Sequence, residues 1–398
     1  MTPTTLIKLP LQFVVRIVQS GINRRTIFGL FFNFWLNFSL VFIWLLMFKN
    51  AGIVPDSWRP RIHVRFAQNL DRFMFDVHQV SSWVSLGLLV STAFLLWTYF
   101  YYFDETKYVR NTLSSSNSPI YDDYDDDEVQ IEMSANKQSL QVQKQTVYFP
   151  VGCFRATPVV LVAASWFLLN IEHSFINNFA TYKDLIAWFS YVLLHFLSPL
   201  FTAIWLYVFQ TPGALKYFGL CLGFQNICGV CTHMLFPNAP PWFIHLHGED
   251  AAADYSMQGY AAGLTRVDVA LGTHLNSNGF HKSPIVFGAL PSLHSAMAVQ
   301  ACLFITYYSR WLTPKFAMLA FVNLQWWATM YLDHHWRLDL VIGLLYAVTV
   351  FTVVQPKLKR KEREFVVARS RGNFGSGSTM GMRVFRNTFA QDFFDPYS

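Results

Sequence analysis

Two histidines and one aspartate have the residue types and the spacing of a catalytic group. His294 lies in the segment GALPSLHSAMAV, and His335 lies forty-one residues later in YLDHHWRLDLVIG. Asp339 follows His335 by four residues, so on a helix the carboxylate would lie beside the imidazole and fix its tautomer. A histidine held in this way is a nucleophile, and a second histidine across from it would protonate a leaving alkoxide. These three residues predict a group-transfer reaction.

The elements that must position them are strongly hydrophobic. Of the 398 residues, 53% are hydrophobic and only 14% are charged, against about 25% charged in soluble domains. Stretches of about 20 apolar residues predict transmembrane helices, and eight stretches qualify. They lie near residues 29–48, 81–103, 157–171, 184–209, 216–236, 292–309, 316–332 and 336–354. We therefore expect an all-α polytopic membrane protein with about eight transmembrane helices.

The charges of the loops predict the orientation in the membrane. With eight spans both termini lie on one side, and that side holds most of the Lys and Arg residues, including the run KLKRKER after the last span. Basic segments stay in the cytosol, so His294 and His335 should both lie at the lumenal ends of their helices. The basic tail accounts for the net charge of +6, and it suits anionic lipid headgroups, not nucleic acid.

Polar segments divide the chain into four regions. Residues 1–103 form an N-terminal region with two transmembrane helices, and residues 104–150, with the run DDYDDDE, form an acidic cytosolic linker. Residues 151–355 form a six-helix core, and residues 356–398 form a basic cytosolic tail. Within the core, segment 237–291 is rich in Pro and Gly and predicts a lumenal cap loop over the helices.

The cap contains the cations that a phosphodiester substrate requires. Arg266 and Lys282 are its only fixed cations, and we expect them to bind the substrate, although lumenal Arg and Lys also contact lipid phosphates. The segment HLHGED at 245–250 has donor atoms for a metal. Its spacing is not diagnostic of one, and histidine beside tryptophan is at least as natural at a membrane interface. We predict neither a metal nor a cofactor.

Residues beside the two histidines are the other candidate substrate contacts. Ser292 comes just before His294 at a helix start, where free backbone amides favour an anion. Asp333 could hydrogen-bond a sugar or cap a helix. His334 would point about 100° away from His335 on a helix and line the rim of the pocket.

A transporter is the alternative from another functional class. An intramembrane His and Asp could form a proton relay, which requires a polar route through both membrane faces. The candidate groups gather instead at the lumenal end, with Pro and Ser at a helix start. This concentration favours catalysis.

The motifs PSLH and HxxxD resemble the second and third signatures of the type 2 phosphatidic acid phosphatase superfamily, whose six-helix core would correspond to about residues 155–355. FPNAPPW, GLTRVD, SPIVFGALPSLHSAMAV and MYLDHHWRLDL are similar to the fungal inositol phosphorylceramide synthases. FNFWLNFSLVFIWL, KDLIAWFSYVLLH, GTHLNSNGFHKSPIVFGA, GMRVF and FFDP extend the likeness to the fungal inositolphosphotransferases that make mannosyl-diinositolphosphorylceramide. Two departures concern phosphate recognition: the KxxxxxxRP signature is absent, and Ala328 and Thr329 replace the Ser and Arg of the third signature.

The resemblance implies a reaction and a role for each residue. His335 would attack the phosphorus of phosphatidylinositol, Asp339 would orient it, and His294 would protonate the departing diacylglycerol. The phosphoinositol group would then pass to mannosyl-inositolphosphorylceramide, a glycosylated inositolphosphorylceramide, in the Golgi membrane. Ceramide as the acceptor, or water in a lumenal lipid phosphatase, are the alternatives within the superfamily. An accessory subunit and the oligomeric state stay open.

Overall fold

The computed structural model describes residues 3–23, 25–95, 151–176 and 178–397. Within these ranges the regular elements are helices, and backbone bridges occur only at isolated positions. The prediction of an all-α fold is confirmed. The predicted acidic linker lies outside the described residues.

The helices follow the apolar segments of the sequence. The described α-helices are α1 Pro3–Ile22, α2 Ile27–Asn37, α3 Ser39–Asn50, α4 Phe66–Phe75, α5 Val80–Leu95, α6 Val151–Ser174, α7 Thr181–Trp188, α8 His195–Phe209, α9 Ala214–Leu235, α10 Pro241–His247, α11 Leu264–Leu271, α12 Leu275–His281, α13 Leu293–Tyr308, α14 Leu312–Tyr331, α15 Arg337–Ser370 and α16 Met380–Val384. A π-helix at Phe189–Leu194 joins α7 to α8. Short 3₁₀ helices lie at Ala51–Ile53, Asp56–Trp58 and Asp392–Phe394.

Several of these helices could cross a membrane. In the described ranges, three are long and apolar enough, and the number rises to five if each bent helix pair is one span. The three are Thr181–Phe209, Ala214–Leu235 and Arg337–Ser370. The expected number of eight is therefore not confirmed. One reason is that α13 has 16 residues, fewer than the roughly 20 that a crossing needs.

Internal contacts divide the chain into two units. One comprises residues 77–168, in which the rings of Trp83 and Trp166 lie 5.4 Å apart. The other comprises residues 1–76 and 169–398. All the predicted catalytic and substrate-binding residues lie in this second unit.

Three helices, α9, α13 and α15, make the core of the second unit. The ring of Phe304 in α13 lies 5.2 Å from Phe218 in α9 and 5.3 Å from Phe351 in α15. On α15, a Cβ at Gly343 would lie 2.3 Å from the carbonyl oxygen of Ser292, so only glycine permits this approach to α13. Lipid tails are as apolar as these side chains, so close packing holds such helices together.

The C-terminal tail is folded. Helix α15 continues past the predicted end of the core at residue 355 and ends at Ser370. Beyond it, Arg383 donates to the carbonyl oxygen of Ser20 at 3.1 Å, and Arg369 donates to both carboxylate oxygens of Asp395. These bonds attach the tail to the end of α1 and to the end of α15.

Candidate active site

The N-termini of α13 and α15 lie side by side. The amide of Ser292 donates to the carbonyl oxygen of Asp339 at 2.9 Å, and the hydroxyl of Ser295 donates to the carbonyl oxygen of Leu340 at 2.7 Å. Both bonds join the first turns of the two helices. Since each first turn is the positive end of a helix dipole, the two together favour an anion.

His335 lies in the loop between α14 and α15, with Trp336 between it and the helix. Its Nδ1 is 3.0 Å from the carbonyl oxygen of Ala289. A carbonyl oxygen only accepts hydrogen bonds, so Nδ1 carries the proton and donates it. The lone pair is therefore on Nε2, and the tautomer is that of a nucleophile.

The carboxylate of Asp339 lies beside the His335 ring and also contacts the start of α15. His335 precedes α15, so the two residues are not neighbours on one helix. The Oδ2 atom of Asp339 is 3.5 Å from Nδ1 of His335, beyond the usual 2.7–3.2 Å of such a bond. It instead accepts from the amide of Trp336 at 2.8 Å, while Oδ1 is buried without a hydrogen-bond partner in the described residues. Asp339 caps α15 and places a negative charge beside the ring, and Ala289 fixes the tautomer.

His294 is the second residue of α13 and lies close to His335. The two ring centroids are 5.9 Å apart. The ring of His294 also contacts Tyr191 at 4.1 Å and His195 at 4.0 Å. Tyr191 is in the π-helix and His195 follows it directly, and such widened turns are frequent at functional sites. The two predicted catalytic histidines are thus brought together.

A buried polar network holds the helices around the site. Ser295 is fully buried, and its hydroxyl accepts from the indole Nε1 of Trp326 at 2.9 Å while it donates to α15. Ser190 of the π-helix donates to Oε1 of Gln325 at 2.9 Å. Because Trp326 and Gln325 both lie on α14, that helix is connected to α13, which carries His294, and to the π-helix, which carries Tyr191.

His334 is not at the rim of a pocket. Its ring is buried and stacks on Tyr191 at 5.0 Å and on Phe280 at 4.7 Å. Burial lowers the pKa of His334 to about 3, so the ring is neutral at ordinary pH. Its Nε2 is buried with no hydrogen-bond partner among the described residues, which leaves it available to a substrate atom.

Asp333 connects the site to the cap. It has a left-handed backbone conformation, with φ of 65°, at the end of α14. Its carboxylate lies 2.9 Å from Nδ1 of His245 in α10, and its carbonyl oxygen accepts from the amide of Trp242 at 3.1 Å. Asp333 therefore holds α10 over the loop between α14 and α15, residues 332–336, which we call the catalytic loop because it contains His335.

Arg266 does not contact the catalytic histidines. Its Nε donates to Asp184 at 2.7 Å, and its guanidinium lies over the rings of Phe179 at 4.2 Å and Tyr331 at 5.2 Å. The carboxylate of Asp184 balances its charge, so the cation expected for the phosphate is already paired. Arg266 attaches the cap to α7.

Two further candidates have distinct surroundings. Lys282 follows α12, where it is exposed and, in the described ranges, has no hydrogen-bond partner for its ammonium group. Ser292 is fully buried, and its hydroxyl accepts from the amide of Ser295 at 3.3 Å as the N-cap of α13. The contribution of Ser292 is thus to start the helix that carries His294.

The HLHGED segment is occupied by ion pairs. Glu249 accepts from Arg72 of α4 at 2.7 Å, and Asp250 pairs with Arg65. With His245 paired to Asp333, the acidic groups and one histidine of this segment attach the cap to the first loop and to the catalytic loop.

Sequence reasoning missed the residues that support the catalytic loop. Asp71 of α4 accepts from Nη2 of Arg337 at 2.7 Å and from the amide of Leu338 at 3.0 Å. Arg337 also donates to Oδ1 of Asn170 at 2.8 Å. Asp71 and Arg337 are both buried, so this ion pair fixes the first turn of α15. Asp71 is the single acidic residue of α4, in the segment FAQNLDRFMF, and this was the available signal.

Comparisons with known proteins show the family of the chain. Residues 159–353 match the family model of the PAP2 superfamily, the type 2 phosphatidic acid phosphatases. Inositolphosphotransferase 1 of Saccharomyces cerevisiae is 32% identical over 97% of this chain and 98% of its own. Inositol phosphorylceramide synthase of Candida albicans is 40% identical over 47% of this chain and 39% of its own. Phosphoinositol dihydroceramide synthase of Bacteroides thetaiotaomicron is 28% identical over 38% of this chain and 48% of its own.

No solved structure matches the chain. The likeness to Inositolphosphotransferase 1 extends over nearly the whole length of both proteins, whereas the synthases match less than half of this chain. The chain therefore belongs to the PAP2 superfamily, and within it to the membrane phosphotransferases that include Inositolphosphotransferase 1.

Proposed function

We propose that this protein transfers phosphoinositol from phosphatidylinositol to mannosyl-inositolphosphorylceramide, which gives mannosyl-diinositolphosphorylceramide and diacylglycerol. The observation that carries the proposal is the position of His335, with Nδ1 bonded to Ala289 and its ring 5.9 Å from His294. The match to Inositolphosphotransferase 1 over 97% of the chain supports the choice of donor and acceptor.

In the first step, Nε2 of His335 attacks the phosphorus of phosphatidylinositol. An N–P bond forms while the P–O bond to diacylglycerol breaks, and His294 gives its proton to the departing oxygen. The charge that develops on the His335 ring is stabilised by the Ala289 carbonyl oxygen and by the nearby carboxylate of Asp339. The product is a phosphoinositol group on His335.

In the second step, a hydroxyl of the acceptor attacks the same phosphorus. His294, now unprotonated, takes the proton of that hydroxyl, and the N–P bond to His335 breaks. Both histidines return to their starting protonation states. His294 thus serves as the acid in the first step and as the base in the second, because the acceptor oxygen takes the position that the diacylglycerol oxygen left.

Phosphate recognition in this proposal relies on the backbone. The side-by-side first turns of α13 and α15 offer the positive ends of two helix dipoles to the phosphate oxygens. The neutral His334 and the exposed Lys282 are the side chains that we expect to contribute. This arrangement compensates for the missing KxxxxxxRP signature and for Ala328 and Thr329 in the third signature.

A transfer assay on membranes tests the proposal. Membranes with the wild-type chain receive phosphatidylinositol labelled in the inositol, together with mannosyl-inositolphosphorylceramide or ceramide, and the lipids are separated. We expect label in a lipid with two inositol phosphates. His335→Ala should abolish the signal, and the matched control His274→Ala, at an exposed cap histidine, should retain it.

Other products would contradict the proposal. Label only in ceramide would make the protein a synthase, and release of free inositol phosphate with either acceptor would make it a hydrolase. Equal activity of His335→Ala and His274→Ala would reject His335 as the nucleophile.

We further propose that the protein is a multi-pass protein of the Golgi membrane with the active site in the lumen. The basic run after residue 355 supports a cytosolic tail. Addition of a glycosylation acceptor site to the cap tests the orientation, because only lumenal sites are modified. Modification of a site in the tail, and not of one in the cap, would show that the protein has the opposite orientation.

A further inference from the structure

A cavity of about 270 Å³ lies between the cap and the first loop, which is the segment between α3 and α4. We call it the cap cavity. The side chains that line it include Asp56, Arg59, His233, Tyr255, Gln258 and His281. Its volume is close to the lower limit of about 300 Å³ for small-molecule sites, which suits a sugar ring.

Arg59 is held firmly in the wall of this cavity. Its Nε donates to the carbonyl oxygen of Val54 at 3.0 Å, and its Nη2 donates to that of Ala51 at 3.1 Å. Its guanidinium lies 5.0 Å above the ring of Tyr255, whose hydroxyl donates to Pro60 at 2.6 Å. Among the described residues Nη1 has no hydrogen-bond partner, so one donor remains for a ligand.

Two other groups in the wall are open to a ligand. The carboxylate of Asp56 is 64% exposed, and its contact with Nε of Arg59 at 3.6 Å is too long for a hydrogen bond. Gln258 is exposed and, in the described part of the chain, its amide makes no hydrogen bond. A carboxylate, an amide and a guanidinium together offer acceptors and donors to neighbouring hydroxyl groups.

The cavity and the active site share one backbone support. The backbone amide of Asn238 donates to the carbonyl oxygen of Phe287 at 2.9 Å, and the carbonyl oxygen of Asn238 accepts from the backbone amide of Ala289 at 3.4 Å. Phe287 lines the cap cavity, while the carbonyl oxygen of Ala289 holds His335. The wall of the cavity is therefore two residues from the group that orients the nucleophile.

Part of the cavity lies outside the family core. Asp56 and Arg59 precede the match to the PAP2 superfamily at residues 159–353. The synthases match less than half of this chain, whereas Inositolphosphotransferase 1 matches 97% of it. A site made jointly by the first loop and the cap fits the step in which such enzymes differ, the recognition of the acceptor.

We propose that the cap cavity binds the sugar headgroup of the acceptor lipid and so selects a glycosylated acceptor over ceramide. This inference rests on the proposed function. Hydroxyl groups of the headgroup bond to Asp56 and Gln258. A site that hydrogen-bonds a substrate hydroxyl rejects analogues that lack it, because its polar groups are then left unpaired.

Steady-state kinetics on the full-length protein in membranes test the inference. The variants are Asp56→Asn and Gln258→Ala, and the matched control is Asp254→Asn, which removes the same charge from the cap outside the cavity. We expect each cavity variant to raise KM for mannosyl-inositolphosphorylceramide about tenfold. KM for phosphatidylinositol, the amount of protein and all parameters of the control should not change.

The outcomes separate the two proposals. An unchanged acceptor KM in both cavity variants, with transfer still dependent on His335, would overturn the cavity inference and leave the proposed function in place. A rise in KM for phosphatidylinositol alone would assign the cavity to the donor and also overturn it. Transfer by the wild-type chain only to ceramide would reject the proposed function and the cavity inference together.

Discussion

The Nδ1 atom of His335 donates a hydrogen bond to the main-chain carbonyl oxygen of Ala289 at 3.0 Å. A main-chain oxygen does not depend on its side chain and keeps its charge distribution at every pH. It fixes the tautomer of His335, the proposed nucleophile, while the carboxylate of Asp339 at 3.5 Å contributes charge.

This relationship predicts the behaviour of Asp339→Asn. The asparagine still caps α15 through its oxygen, and Ala289 still fixes the tautomer, so only the negative charge beside the His335 ring is lost. We expect the rate of transfer to fall about 10- to 100-fold, or about 1.4–2.7 kcal/mol of activation free energy. Activity as low as in His335→Ala would contradict this account, and the comparison is made by initial rates in membranes.

His294 is predicted to act through its proton. His294→Ala should slow diacylglycerol release by about 10²–10⁴-fold, the usual contribution of a general acid. A phosphoinositol donor with a phenolate leaving group needs no proton, so it should restore the first step in His294→Ala but not in His335→Ala. Release of the phenolate is followed by absorbance. Failure of this donor to rescue His294→Ala would reject the acid role.

The pair of Asp71 and Arg337 should be important for stability. Asp71→Ala leaves the buried guanidinium uncompensated and removes a bond to the first turn of α15, which we expect to cost about 3–5 kcal/mol. The double variant Asp71→Leu with Arg337→Met removes both charges and should recover most of this loss. Thermal unfolding in detergent compares the three proteins. Equal destabilisation by the single and double changes would contradict the ion-pair explanation.

Gly343 is predicted to be essential for the approach of α15 to α13. A Cβ at this position would lie 2.3 Å from the main-chain oxygen of Ser292, which cannot rotate away. Gly343→Ala should cost about 1–3 kcal/mol of stability and reduce activity, since it separates the two first turns. The control is Gly87→Ala in α5, where a Cβ meets no atom within 4 Å. Similar unfolding temperatures for the two variants would disprove the packing argument.

The contact between His245 and Asp333 predicts a pH dependence of the cap. The hydrogen bond to Asp333, opposed by burial and assisted by the charge of Asp333, raises the pKa of His245 above its ordinary value. A raised pKa in the folded state means that the contact stabilises the cap fully below about pH 6.5. That stabilisation is lost as the pH rises through the raised pKa.

Hydrogen–deuterium exchange of α10, corrected for intrinsic rates, measures this loss. Protection should fall with rising pH in the wild-type protein, and His245→Gln should show low protection throughout. His247→Gln is the matched control and should behave like the wild type. The same pH response in His245→Gln would exclude this contact as its cause.

The sequence by itself predicted the fold class, the reaction class and the candidate catalytic residues of this protein. The apolar stretches predicted an all-α membrane protein, because residues this hydrophobic are stable only in lipid or in a packed interior. PSLH and HxxxD predicted His294 and His335 as the catalytic pair, since a helix start and a short spacing are local properties of the chain. The family resemblance also came from such local sequence motifs.

Tertiary structure alone decided what surrounds these residues. Ala289 beside His335, Asp71 beside Arg337 and Tyr191 beside His294 are each separated by tens to hundreds of residues in the chain, and no local pattern encodes such pairs. His335 lies in the loop before α15 and not on one helix with Asp339, although the two side chains are neighbours. Arg266 pairs with Asp184. Spacing fixes which side chains neighbour each other along one helix, whereas the packing of several helices fixes which partner each polar group meets.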